Sequence, residues 1–170
     1  MERDPISELL IVRAVSGEHW RAARALVEAY AASLPVDLSF QDFDRELAHL
    51  ADEYGPPAGA CFLADVDGGY RGCIALRRFG EATAEIKRLY VSPDARGRGI
   101  GRRLFERVVS EAKQLGYARA VLDTLPSMTE ARALYESMGF HSIEPYRFNP
   151  VAGTAFLELV LDAARTDPPT

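Results

Sequence analysis

Two cysteines, Cys61 and Cys73, are all that the 170-residue chain carries. That is too few for a disulfide framework or, by themselves, for a zinc site. No apolar run approaches the roughly 20 residues of a membrane span. Positive charge is in deficit: 20 Lys and Arg against 25 Asp and Glu leave a net −5, which argues against nucleic acid as the main partner. Met1 to Glu8 is charged and lacks the apolar core and small-residue cleavage site of a secretion signal. Internal repeats and Gly/Ser/Pro-rich linkers are missing as well. What remains is a chain with 48% hydrophobic and 26% charged residues, enough to bury one core. The expectation is a cytoplasmic protein with no membrane or nucleic-acid partner, folded as one domain over residues 10–165 with tails at 1–9 and 166–170.

Leu9-Leu-Ile-Val12 reads as a first strand. Trp20, Ala23, Val27 and Tyr30 recur at helical steps until Pro35 ends the pattern, and Phe40, Phe43, Leu47 and Leu50 repeat it, with Ser39 or Asp42 as the cap. The period then changes. Cys61 to Val66 and Tyr70 to Leu76 flank Asp67-Gly-Gly69, a hairpin signal, and a second turn at Phe79-Gly80-Glu81 leads into a strand over Thr83–Val91. Strict alternation would put Glu85, Lys87, Leu89 and Val91 on one face of that strand. A wide apolar stripe from Leu104 to Leu115 marks a helix capped by Gly116. Ala120-Val-Leu122 reads as a buried strand, and Ala131, Leu134, Tyr135 and Met138 as a further helix. Short strands near His141–Glu144 and Ala155–Leu161 complete an α/β domain around one mixed sheet.

The most informative stretch joins a strand to a helix, with Gly97, Gly99 and Gly101 at alternate positions. Glycine there lets backbone N–H groups approach a ligand with no Cβ in the way, and the following helix start adds its dipole and unpaired donors. From Asp94 to Arg107 five arginines face two acids, a local +3 on an acidic chain. This is an anion site suited to a pyrophosphate. It lacks the Lys-Ser or Lys-Thr of a P-loop and the glycine spacing of a dinucleotide fingerprint.

Arg96-Gly-Arg-Gly-Ile-Gly101 after Glu85-Ile-Lys-Arg-Leu-Tyr-Val91 resembles the acyl-CoA-binding motif of the GNAT superfamily of N-acyltransferases, and Ala131-Arg-Ala-Leu-Tyr-Glu-Ser-Met-Gly-Phe140 resembles that family's C-terminal signature. The resemblance runs from about Leu10 to Leu161. It implies a mostly antiparallel mixed sheet of about six to seven strands flanked by about four helices, acetyl-CoA as co-substrate with no metal, and direct transfer to an amine in a ternary complex. Homodimers are common in such a family, although no residue here demands one. Backbone groups of Leu89, Tyr90 and Val91 would pair with the pantetheine arm. Those of Arg96, Gly97, Arg98, Gly99, Ile100, Gly101 and Arg102 would hold the pyrophosphate. An Asn that often stands seven places before the Tyr of the second motif is here Met128.

Acetyl transfer needs an uncharged amine and a protonated leaving sulfur. At pH 7 a lysine-like amine of pKa about 10.4 costs roughly 4.6 kcal/mol to deprotonate and an α-amine near 8 about 1.4 kcal/mol. Tyr135 is the candidate acid, the role the resemblance assigns to the matching Tyr; on spacing alone it would be one more aromatic of its helix stripe. Glu85 is the candidate base, directly or through a water, unless it only pairs with Lys87 or Arg88. Asp123, at the end of the next strand, is the rival, unless it caps the turn before Pro126. Arg88 could hold an acceptor carboxylate or lie on a solvated face. Tyr146, Arg147 and Asn149 fall where such a family closes its acceptor pocket. The three histidines show no metal spacing, and both cysteines read as buried thiols. The acceptor expected is a small-molecule amine or amino acid. The alternatives are a protein Lys or N-terminal acceptor and a non-catalytic acyl-CoA-binding module.

Overall fold

The computed structural model describes residues 8–39 and 42–161; Phe40 and the tail expected at 166–170 lie outside them. Seven strands form one sheet in the order β1-β2-β3-β4-β5-β7-β6. They are β1 (Leu9–Arg13), β2 (Ala60–Val66), β3 (Gly69–Gly80), β4 (Thr83–Val91), β5 (Arg119–Thr124), β6 (His141–Ser142) and β7 (Ala155–Val160). Five helices accompany them among the described residues: α1 (Gly17–Ser33), α2 (Phe43–Ala48), α3 (Leu50–Tyr54), α4 (Ile100–Gln114) and α5 (Thr129–Ser137). None is long and apolar enough to cross a membrane. All neighbours are antiparallel except β4 and β5.

Local chemistry explains most boundaries. Ser16 Oγ accepts from His19 N, and His19 Nδ1 accepts from Ser16 N, so His19 completes the N-terminal cap of α1. Asp67 and Gly68 both have positive φ, 51° and 87°, the geometry of the two-residue turn whose twist matches a β2–β3 hairpin. The stripe at 40–50 expected as one helix is instead two short helices meeting at His49, whose backbone is not helical. Asp42 is the N-cap of α2 but makes no side-chain capping bond.

Apolar residues fill both faces of the sheet. On one, α4 and α5 cover a core that includes Phe62, Ile74, Leu104, Phe105 and Leu122. On the other, α1 and α3 cover Leu26, Leu63, Tyr54 and Cys73.

Two irregularities shape β4. Its pairing with β5 among the described residues covers only Thr83–Glu85 against Arg119–Val121, and beyond Glu85 the two parallel strands part. Arg88 has φ 63°, and on the β3 side the register slips, so that Cys73–Ala75 spans Tyr90–Lys87. This is a β-bulge, one extra residue on β4. It overturns the alternation expected from the sequence. Glu85 and Lys87 lie opposite Arg77 and Ala75, on the α1–α3 face, whereas Leu89 and Val91 pack into the α4 core.

Candidate active site

Where β4 and β5 part, the sheet holds a groove of about 650 Å³ that runs between the bulged half of β4, the Gly-rich loop and the start of α5. A tight notch of about 50 Å³ continues from it into the split. Tyr30 and Met128 line both.

The groove's outer end is the Gly-rich loop. Gly97 and Gly99 have φ of 78° and 77°, a region in which a β-carbon collides with the backbone. Gly99 is the N-cap of α4, so no side chain caps that helix, and its first turn carries Arg102 and Arg103 with no acid. Cations at a helix N-terminus oppose its dipole; an anion bound there reverses the sign of that interaction. Arg96 Nε donates to Val91 O at 2.9 Å, fixing the loop to the end of β4. Arg98 Nε is buried with no hydrogen-bond partner, one of two such side-chain atoms among the described residues. An orphaned donor, uncapped N–H groups and concentrated positive charge fit a pyrophosphate. Of the ten residues that the sequence motif marks, Leu89, Tyr90, Val91, Arg96, Gly97, Ile100 and Gly101 line the groove, and Arg98, Gly99 and Arg102 do not.

Tyr135, Asp123, Lys87, Tyr30, Thr124 and Asn149 line the notch. Tyr135 is nearly buried, packed on Phe105 with ring centres 4.9 Å apart. Burial, together with Tyr30 and Asp123, pushes its phenol above the ordinary value, so it stays protonated. Half-buried Asp123 accepts from Asn149 Nδ2 at 3.2 Å. Burial and the neighbouring Arg88, opposed by Glu85 and Asp123, lower the Lys87 ammonium to about 7.

Glu85 is placed differently. It is fully buried and is not among the residues lining the notch. Its Oε1 accepts from Arg77 Nε at 2.9 Å and Arg147 Nη2 at 3.0 Å, and its Oε2 from the Tyr146 hydroxyl at 2.8 Å. Arg77 in turn reaches Glu53 on α3 at 3.1 Å. The segment joining β6 to β7 is therefore tied to both diverging strands, through Tyr146 and Arg147 to Glu85 and through Asn149 to Asp123.

Arg88 is neither a solvated cation nor an open carboxylate site. It is buried, donates twice to Glu46 at 2.8 and 3.1 Å, and lies over the rings of Tyr30 and Phe43. Glu46 and Tyr30 carried no functional signal in the sequence. Tyr30 sat on an ordinary helix stripe, and the partner that draws Glu46 inward is 42 residues away.

The family model of the Acetyltransferase (GNAT) family matches residues 23–140. The chain belongs to the GNAT family. It is an acyl-CoA-dependent N-acetyltransferase, and the GNAT family uses acetyl-CoA or acyl-CoA as co-substrate. An uncharacterized N-acetyltransferase of Schizosaccharomyces pombe is 40% identical over 138 residues, 80% of this chain and 85% of that one. Human N-acetylaspartate synthetase is 30% identical over 142 residues, which are 82% of this GNAT chain but 44% of that protein. This chain thus spans less than half of the synthetase. A GNAT-family acetyltransferase from Staphylococcus aureus shares the fold, with a TM-score of 0.76 at 18% identity, covering 91% of this chain and all of that one.

Proposed function

We propose that the protein acetylates the α-amine of a small amino acid, taking the acetyl group from acetyl-CoA held in the long groove. The observation that carries this reading is a carboxylate in the notch with an unpaired guanidinium donor on the segment that walls it. Asp123 lines the notch on the β5 side and Asn149 lines it from the β6–β7 segment. Arg147, two residues before Asn149 and not itself in the lining, has an Nε buried without a hydrogen-bond partner. A carboxylate suits an ammonium, and a guanidinium with an unspent donor suits a carboxylate. The human relative, N-acetylaspartate synthetase by name, supports an amino acid as acceptor.

The bound thioester supplies an activated acetyl group. The Gly-rich loop and the start of α4 fix its pyrophosphate end, and the unpaired side of β4 at Leu89 to Val91 offers backbone hydrogen bonds to the pantetheine arm. Tyr135, protonated in the notch, donates to the departing sulfur. The phenol is a weaker acid than the thiol it protonates, with ordinary pKa values of about 10 and 8.5. Asp123 receives the acceptor's ammonium. Glu85 holds Tyr146 and Arg147 in place, so that the wall of the notch keeps its shape.

Thiol release from acetyl-CoA tests the acceptor class. Pooled free amino acids, polyamines and a peptide with a free N-terminus are each supplied to the purified protein. Turnover with the amino-acid pool, lost when the same amino acids carry amidated carboxyls, is the expected result. Turnover with the polyamines or the peptide alone would overturn it.

A further inference from the structure

Acetyl transfer requires that the acceptor ammonium lose a proton. Of the two carboxylates expected for that task, Glu85 is tied up outside the notch lining, and Asp123 is the one that receives the ammonium. The oxygens of Glu85 are taken by two arginines and a tyrosine away from the notch, and Asp123 already accepts from Asn149. A second observation is compositional. Of the 20 basic residues only two are lysines, Lys87 and Lys113. Arginine supplies nearly every cation in this chain, including those buried in ion pairs at Arg77 and Arg88. One of the two lysines lines the notch, while Lys113 is exposed on α4. An arginine cannot release its proton in a protein, whereas a buried lysine can.

From this placement we infer that Lys87 is the general base of the reaction. The inference rests on the amine-acetylation reading above. The groups around Lys87 are Glu85 and Arg88 on its own strand, Asp123 on β5, Tyr30 on α1, Tyr135 on α5, and Arg147 with Asn149 from the β6–β7 segment. Burial and the two guanidiniums disfavour its charged form, and the two carboxylates restrain that shift, leaving it lowered to about 7. A base titrating there is neutral half the time at pH 7 and strong enough to deprotonate an α-ammonium near 8.

The protons balance. Neutral Lys87 Nζ takes one from the acceptor ammonium. The freed lone pair forms the C–N bond as the C–S bond breaks, and the sulfur leaves with its electron pair and takes the Tyr135 proton. The nitrogen's surplus proton returns to Tyr135, and Lys87 releases its own to solvent before the next turn. Net, an ammonium and a thioester give an amide, a thiol and one proton.

With only two lysines, ¹³Cε-lysine labelling gives two side-chain NMR signals, and Lys87→Arg identifies the one that disappears. In the protein without acceptor, the Lys87 signal is expected to titrate about three pH units below free lysine, whose pKa is near 10.4. Both signals titrating like free lysine would overturn the proposal, whatever the acceptor proves to be. In the rate assay, Lys87→Arg keeps a positive charge but cannot lose a proton. It is expected to lower kcat by about 10²-fold or more with acetyl-CoA affinity unchanged, whereas Glu85→Gln retains the fall in kcat on acidification that protonation of Lys87 gives the wild type. A Lys87→Arg enzyme with normal kcat and only a raised acceptor KM would show a carboxylate-holding residue instead and overturn the proposal. Failure of every amine to elicit thiol release would overturn the acceptor reading, while the NMR titration would still decide the protonation state of Lys87.

Discussion

Arg88 of the β4 bulge and Glu46 of α2 form a buried two-point ion pair, with Nε to Oε2 at 2.8 Å and Nη2 to Oε1 at 3.1 Å, and the Tyr54 hydroxyl donates to the same carboxylate. The pair joins an element of the first half of the chain to the strand that forms one edge of the groove. It also accounts for the left-handed backbone of Arg88. A non-glycine residue at φ 63° costs roughly 1–2 kcal/mol, and the side chain's two charge-assisted bonds and two aromatic contacts offset that.

Glu46→Ala should destabilise the protein by about 3–5 kcal/mol, because it leaves the Arg88 charge buried and alone. Chemical denaturation measures this. The pH dependence has a definite sign. Burial pushes the Glu46 carboxyl up, but the Arg88 charge and the hydrogen bonds from Arg88 and Tyr54 outweigh it and hold the folded value below 4.5. Its contribution is therefore full above pH about 4.5 and is lost as the pH falls through the lower folded value. The stability gap between wild type and Glu46→Ala should narrow on acidification across that window. A gap that stays constant or widens would contradict the assignment.

Much of the donor site was legible because it is local. Gly97, Gly99 and Gly101 mark a backbone turn whether or not the rest of the chain is known, and Asp67-Gly68 fixes the hairpin in the same way. The acceptor end depends on contacts far apart in sequence. Glu85 meets Tyr146 and Arg147 some 60 residues on, and Glu46 meets Arg88 across 42. The bulge at Arg88 carries no glycine to announce it, so alternation along β4 assigned Leu89 and Val91 to the wrong face. Lys87 keeps the face that alternation gives it, and its burial there depends on elements distant in sequence.

Gly99→Val should weaken acetyl-CoA binding at least tenfold in calorimetry. An added Cβ at Gly99 meets no atom within 4 Å, so the substitution does not crowd the core. Its effects are backbone strain of about 1–2 kcal/mol at φ 77° and a side chain where the phosphates approach. Gly116→Val, at φ 85° with equally open space but at the far end of α4, imposes similar strain and should leave binding unchanged. Equal losses in the two variants would mean that the loop does not hold the donor.

Cys61 and Cys73 should be silent toward a thiol reagent in the native protein and both react after unfolding. Burial pushes the Cys61 thiol up to about 12 and the Cys73 thiol well above its ordinary value, and thiolate is the reactive form. Cys73 Sγ also donates to the Arg88 carbonyl at 3.3 Å. A rapidly labelled native thiol would show that the α1–α3 face of the sheet opens. Silence has a practical consequence, since CoA release can then be followed with the same reagent.

The most direct test of the account is amine-dependent thiol release from acetyl-CoA by wild type and Tyr135→Phe, with donor affinity measured in parallel. The phenyl ring keeps the packing against Phe105 and removes only the hydroxyl. The account predicts that kcat falls by about 10²-fold or more while the acetyl-CoA Kd and the Tm stay within error of wild type. Unchanged turnover in Tyr135→Phe would contradict it, because the protonated phenol of the notch would then have no part in the chemistry.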